Sequence, residues 1–260
     1  MTPDSRDRAV AQAVAAECLE GWRPTDEHVS ALTALAHEEV SFDDYLAKFR
    51  DRYPPQERAR RRRPSLRPVP YLIPGTTLLR NNFGAQSAEM LADLEFVATA
   101  GRMVSWLRGA CEAGGLDVRA IHGHLFGDVY SWAGQYRTTE LRRGQQSFAW
   151  VSTIASEMTR VHDAARSVVD AGATYDNPRL AYELARLYTD YNQVHPFRDG
   201  NGRAGAMLLH GVATRCGREL DLTVTHRAEW YSAAADSMPL RGRGRTSHRP
   251  FLPILNRAVT

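Results

Sequence analysis

Apolar residues along most of this chain return every three or four positions, the spacing that stripes one face of a helix. Leu91, Leu94 and Ala98 follow it, as do Ile121, Leu125 and Val129, then Ile154, Met158 and Val161, then Leu180, Leu184, Leu187 and Tyr191. A chain patterned in this way builds its core from packed helices, so the fold class is all-α. One stretch breaks the period. Tyr136–Thr139 and Ser147–Val151, on either side of Gly144, read as two short extended pieces around a turn. No apolar run reaches the roughly 18 to 20 residues that cross a bilayer. Met1 to Val10 carries charges and no apolar stretch of the secretory kind. Cys18, Cys111 and Cys216 lie too far apart for a CxxC pair or a disulfide framework. The expectation is a cytoplasmic protein with no membrane partner, and the sequence allows a homo-oligomer.

Three segments can be separated: a helical segment over 1–57, an Arg/Pro-rich linker over 58–70 and a body over 71–260. The first reads as three short helices. Val10 and Val14 mark one that stops at Glu20-Gly21. Thr25 caps a second, with Asp26 and Glu27 suited to its positive end. Ser41 to Asp44 resembles a capping box that opens a third, striped by Phe42, Tyr45, Leu46, Phe49 and Tyr53. In the body, Asn177-Pro178 reads as a helix start. Charge divides along the same lines. Residues 1–57 hold 6 basic and 12 acidic side chains, the remainder 27 and 18. An acidic segment beside a basic body suits docking and release. All but Lys48 of the 33 basic residues are arginines. The run Arg60 to Arg63 lacks interleaved aromatics, so a solvated linker is the better reading and nucleic acid is disfavoured as a partner. The Arg-Gly alternation from Arg241 to Arg245 reads as a loop. His122-Gly123-His124 has no further ligand at a spacing that would make a metal site.

The segment that carries chemistry is His195-Pro196-Phe197-Arg198-Asp199-Gly200-Asn201-Gly202-Arg203. Pro196 ends the helix before it, and a new helix opens at Ala204. Gly200 and Gly202 let the backbone approach a ligand closely. A glycine-bearing loop feeding a helix N-terminus binds anions through outward-pointing amides. Arg203 would add a fork-shaped phosphate donor, Asp199 a hard oxygen ligand for Mg²⁺, and His195 a group that takes a proton near neutral pH. Base, metal ligand and phosphate cradle together describe phosphoryl or nucleotidyl transfer. The Walker pattern is absent.

This string resembles the Fic family motif, HPFx[D/E]GNGRxxR. Tyr71 to Asn81 looks like the family's usual start, and Trp132-Ala133-Gly134-Gln135-Tyr136-Arg137 like the lead into its hairpin flap. The resemblance covers about 71–240 in order. It implies a Fic-type helical bundle with a β-hairpin flap over the active site, and transfer of AMP from ATP to a Ser, Thr or Tyr hydroxyl of a target protein. His195 would deprotonate that hydroxyl, pyrophosphate would leave, and Asp199 would hold Mg²⁺. Phe197, Gly200, Asn201, Gly202 and Arg203 would form the nucleotide site. Ser147, Phe148 and Ala149 of the flap would align the target, with Phe148 as the clamp; plain core packing is the alternative for Phe148 and Trp150. The family's last motif arginine, which holds the distal phosphates, falls at Ala206. That loss removes a charge-assisted contact of about 1.5 to 3 kcal/mol. It leaves open Arg198 or Arg215 as a substitute, a different donor, a phosphotransferase, or a feebly active binding module. The family often carries an inhibitory helix patterned [S/T]xxxE[G/N]. Ala16 to Gly21 matches its Glu-Gly pair at Glu20 and lacks the leading hydroxyl. Residues 1–57 thus resemble a small antitoxin fused to its toxin, with Glu20 inhibitory and Arg203 its expected cation.

Overall fold

The computed structural model describes residues 3–53, 69–110, 115–144, 146–239 and 245–260. The linker arginines Arg60 to Arg63, Cys111 and most of the Arg-Gly run lie outside these residues. The amino-terminal trio is α1 (Pro3–Glu20), α2 (Asp26–Ala36) and α3 (Phe42–Arg50). The first is longer than its apolar marks suggested. It begins at a proline, which a first helical turn tolerates, and stops at Gly21 with φ +105°. Thr25 caps α2 through the His28 amide, and the His28 ring accepts the Thr25 amide in return. Ser41 caps α3 through the Asp44 amide.

The body contains α4 (Ala88–Ser105), continued by a π-turn over Trp106–Ala110, then α5 (Val118–Phe126), α6 (Ile154–Ala171), α7 (Asn177–Val194), α8 (Asn201–Arg215), α9 (Arg227–Asp236) and α10 (Leu252–Ala258). Asp176 rather than Asn177 caps α7, so the helix starts one residue earlier than expected, with Pro178 in its first turn. The extended pieces shrink to one hairpin. Strand β1 (Arg142–Arg143) pairs antiparallel with β2 (Gln146–Ser147), Arg142 opposite Ser147. Tyr136–Thr139 lies outside that ladder, its Thr138 amide held by Tyr71 Oη and its Arg137 amide by the Pro196 carbonyl.

Helix α8 is the centre of the molecule. Arg203 through Ala213 are all buried, and α8 packs on α1, α5, α6 and α7. A helix covered on every side needs no amphipathic stripe. Helix α1 is covered in the same way by α2, α4, α8 and α9, which its small buried residues Ala9, Ala13 and Ala16 permit. One apolar core runs from Val10, Leu32 and Phe49 through Leu94 and Val97 to Leu125, Leu184 and Met207. Polar ties cross the same boundary: Gln12 bonds Asp221 and the Leu222 amide, and Tyr45 donates to the Val97 carbonyl. Residues 3–53 are therefore packed into the body.

Candidate active site

The loop between α7 and α8 owes its shape to a few side chains that close it from behind. His195 ends α7 in a left-handed turn, φ 49° and ψ 61°. Asn201 folds back on the loop: its Oδ1 accepts the Phe197 amide and its Nδ2 donates to the Phe197 carbonyl, both at 2.9 Å. Tyr191 Oη donates to the Asn201 carbonyl. Phe197 has no exposed surface and stacks on the His122 ring at 3.9 Å. His122 in turn donates Nε2–H to the Asp199 carbonyl and accepts the Gly134 amide on Nδ1. Burial pushes its pKa down to about 3, so the ring is neutral, with both nitrogens engaged in hydrogen bonds that shape the loop. Gly200 has φ +77°, and a Cβ there would stand 2.3 Å from the Phe126 ring. No other residue fits.

Arg137 holds the same loop to the flap. Its guanidinium is 2% exposed and reaches the carbonyls of His195, Val194, Thr139 and Ala149, while its amide donates to the Pro196 carbonyl. Sequence reasoning quoted Arg137 only as part of a segment. One buried arginine among so many carries no distinguishing mark.

In front of the loop lies a cleft of about 240 Å³ lined by His195, Asp199, Gly200, Asn201, Gly202, Phe148 and Glu20. Most of the expected site is thus brought together. The His195 ring stacks on Phe148 at 3.9 Å, nearly parallel. Burial, with Arg143 and Arg137 nearby, pushes its pKa down to about 3, so the ring is uncharged. Asp199 accepts the Gly200 amide on Oδ1.

Several expectations are corrected here. Arg203 is buried and turned away from the cleft. It pairs with Glu95 on α4 and Glu17 on α1, and donates to Thr99 at 3.2 Å. It therefore neither lines the phosphate cradle nor answers Glu20. Phe197 and Asn201 shape the loop through their side chains instead of presenting them to a ligand. Phe148 caps His195 and is buried, whereas Trp150 is 63% exposed and is not core. The Ala149 amide donates to the Gln193 carbonyl and its carbonyl accepts from Arg137, so neither is free for an incoming strand. Ser147 pairs with Arg142 inside the hairpin, and its carbonyl receives Gln193 Nε2 at 3.5 Å.

Glu20 reaches the centre of the cradle. A Cβ built on Gly202 would lie 1.8 Å from Glu20 Oε1, and Tyr231 Oη donates to Oε2 at 3.1 Å. One turn earlier, Glu17 is fully buried. It accepts from Thr99 at 2.5 Å and lies 3.6 Å from Arg203. One guanidinium faces two carboxylates there, and burial pushes Glu17 up to about 8. Glu95, bonded also by Tyr130, is raised for the same reason.

The Fic/DOC family pattern matches residues 116–213. The probable protein adenylyltransferase Fic of Salmonella typhimurium is 30% identical, over 58% of this chain and 75% of the relative. The probable protein adenylyltransferase y4lH of Sinorhizobium fredii is 32% identical, over 58% and 79%. Among solved structures, the BepC effector of Bartonella tribocorum, with AMPPNP bound, superimposes with a TM-score of 0.62 at 20% identity, over 73% of this chain and 96% of that one. A Fic domain containing signaling protein from Bacteroides thetaiotaomicron does so at 0.60 and 16%, over 99% and 87%. With three quarters or more of each sequence relative aligned at these identities, the similarity extends past a shared fold, and the chain belongs to the Fic/DOC family.

Proposed function

We propose that this chain is a protein adenylyltransferase, moving AMP from ATP to a hydroxyl side chain of a target protein, and that residues 1–57 hold it inactive. The observation that carries both parts is Glu20, a carboxylate seated against Gly202 at the start of α8. A site that accepts a carboxylate there accepts phosphate by the same chemistry. With Glu20 withdrawn, His195 takes the proton of the target hydroxyl, whose oxygen attacks the α-phosphate as pyrophosphate leaves. Gly200 and Gly202 let the backbone close on the phosphates. Asp199 is the carboxylate that would hold Mg²⁺. Water and phosphate oxygens would complete the coordination of such an ion. Such an ion supplies charge neutralisation at the phosphates. No helix among the described residues is long and apolar enough to cross a membrane.

The test uses ATP labelled at the α or the γ phosphate, a cell lysate, and wild type beside Glu20→Gly and His195→Ala. Only α-label should transfer, more in Glu20→Gly and not at all in His195→Ala. Transfer of γ-label would replace this reading with a kinase-like one. A cellular phenotype that survives His195→Ala would favour a binding module.

A further inference from the structure

The cleft is lined by two carboxylates, Glu20 and Asp199, and by the arginines Arg142, Arg143 and Arg198. None of the three is in an ion pair among the described residues. The other arginines near the motif are committed elsewhere. Arg203 is paired with Glu95 and Glu17 behind the loop, and Arg137 with backbone carbonyls. Arg215 bonds the Gly211 carbonyl at the far end of α8, about 20 Å from the cradle at 1.5 Å per residue. Ala206 is buried and offers no charge.

The strand geometry separates the two flap arginines, because successive residues point to opposite faces. Arg142 borders both the cleft and a second cavity of about 740 Å³ behind the flap, whereas Arg143 borders the cleft alone. The Arg143 guanidinium lies 5.6 Å from the Tyr231 ring and 5.9 Å from that of Phe148. Tyr231 is the residue whose hydroxyl holds Glu20. Arg143 therefore stands one aromatic ring from the Glu20 carboxylate, with its charge near two aromatic faces.

We infer that Arg143, seconded by Arg198, is the cationic subsite for the outer phosphates of the donor, a charge that position 206 does not supply. This rests on the nucleotide reading above. Its consequence is selectivity: the subsite rewards donors with two or more phosphates and leaves a monophosphate unaffected. Because Arg143 sits on β1, donor binding and the position of the flap are also coupled.

The test is calorimetric binding of ATP, ADP and AMP to the full chain carrying Glu20→Gly, alone and with Arg143→Ala, Arg143→Lys or Arg198→Ala. Arg143 is exposed on the hairpin, and melting curves check that each variant is folded. Arg143→Ala should weaken ATP and ADP by about tenfold to a hundredfold, the size of one charge-assisted contact, with AMP unchanged. Arg143→Lys should recover most of the loss, and Arg198→Ala should shift ATP in the same direction by less. ATP affinity unchanged in Arg143→Ala would overturn the assignment alone, as would an equal loss for AMP, which would mean a distorted cleft. A Glu20→Gly parent that binds none of the three would overturn the donor reading itself, and this subsite with it.

Discussion

Arg137 carries its charge to a place where backbone carbonyls do most of the answering. Glu140 stands 3.7 Å away at the surface end, and the remaining contacts are the oxygens of His195, Val194, Thr139 and Ala149. Removing the guanidinium leaves those oxygens buried without donors. Arg137→Ala should therefore cost about 3 kcal/mol or more of stability, read from the denaturation midpoint, and should misplace His195 enough to remove AMP transfer. Arg137→Lys should recover less than half of that stability, since an ammonium lacks the planar fork that reaches several acceptors at once. At this scale the sequence was readable where a residue type is rare in its setting. His195, Asp199, Gly200 and Gly202 were found because a histidine, an acid and two glycines in one short loop have few other uses. The sequence misleads at Arg203 because the neighbours of that residue along the chain are site residues. Its partners Glu95 and Glu17 lie about a hundred and nearly two hundred positions away, and nothing local announces them.

Helix α1 binds the body through two glutamates of opposite character. Glu20 reaches an open cleft, whereas Glu17 enters a sealed cluster in which Glu95 and Arg203 already form a neutral pair. Docking adds a second carboxylate, so the docked form retains a proton that the undocked form releases. Glu17 rises from 4.5 to about 8 on burial. Docking is thus fully favoured below about pH 4.5 and weakens as pH rises towards 8, by at most about tenfold per unit. Limited proteolysis of α1 in the full chain should accelerate across that window, and Glu17→Gln should flatten the dependence. A cleavage rate that rises equally in Glu17→Gln would show that Glu17 does not carry the linkage. Thr25, Ser41 and the Glu20-Gly21 stop were legible in the sequence because capping chemistry is local. The register that turns both Glu17 and Glu20 inward was not, since an alanine-rich helix covered on several sides shows no stripe to read.

Over the whole chain, residues 3–53 and the body share one core, with Leu32, Tyr45 and Phe49 closing over α4. Removing residues 1–53 should lower the melting temperature by about 10 °C or more and raise light scattering, as the α4 face becomes solvent-exposed. Adding the segment back as a separate polypeptide should restore solubility and silence transfer together. Restored solubility with undiminished transfer would separate the packing role from the inhibitory one. The all-α class was legible from the period of Leu180, Leu184 and Leu187. The hairpin was placed only to within a few residues, because two-residue strands lack the alternation that locates longer ones.

Gly202 gives this architecture an unusual mutational geography. A methyl group at that position would fall 1.8 Å from Glu20 Oε1, so that carboxylate would have to shift out of its place. On the proposed reading, the same methyl would then stand where a phosphate of the donor is to rest. On that reading, loosened restraint and weakened phosphate binding would arrive together in a single substitution at 202. Release of Glu20 without that cost has to arise away from the loop, on α1 or at Tyr231, whose hydroxyl holds the carboxylate. The motif itself is thereby shielded from drift towards an ungoverned enzyme.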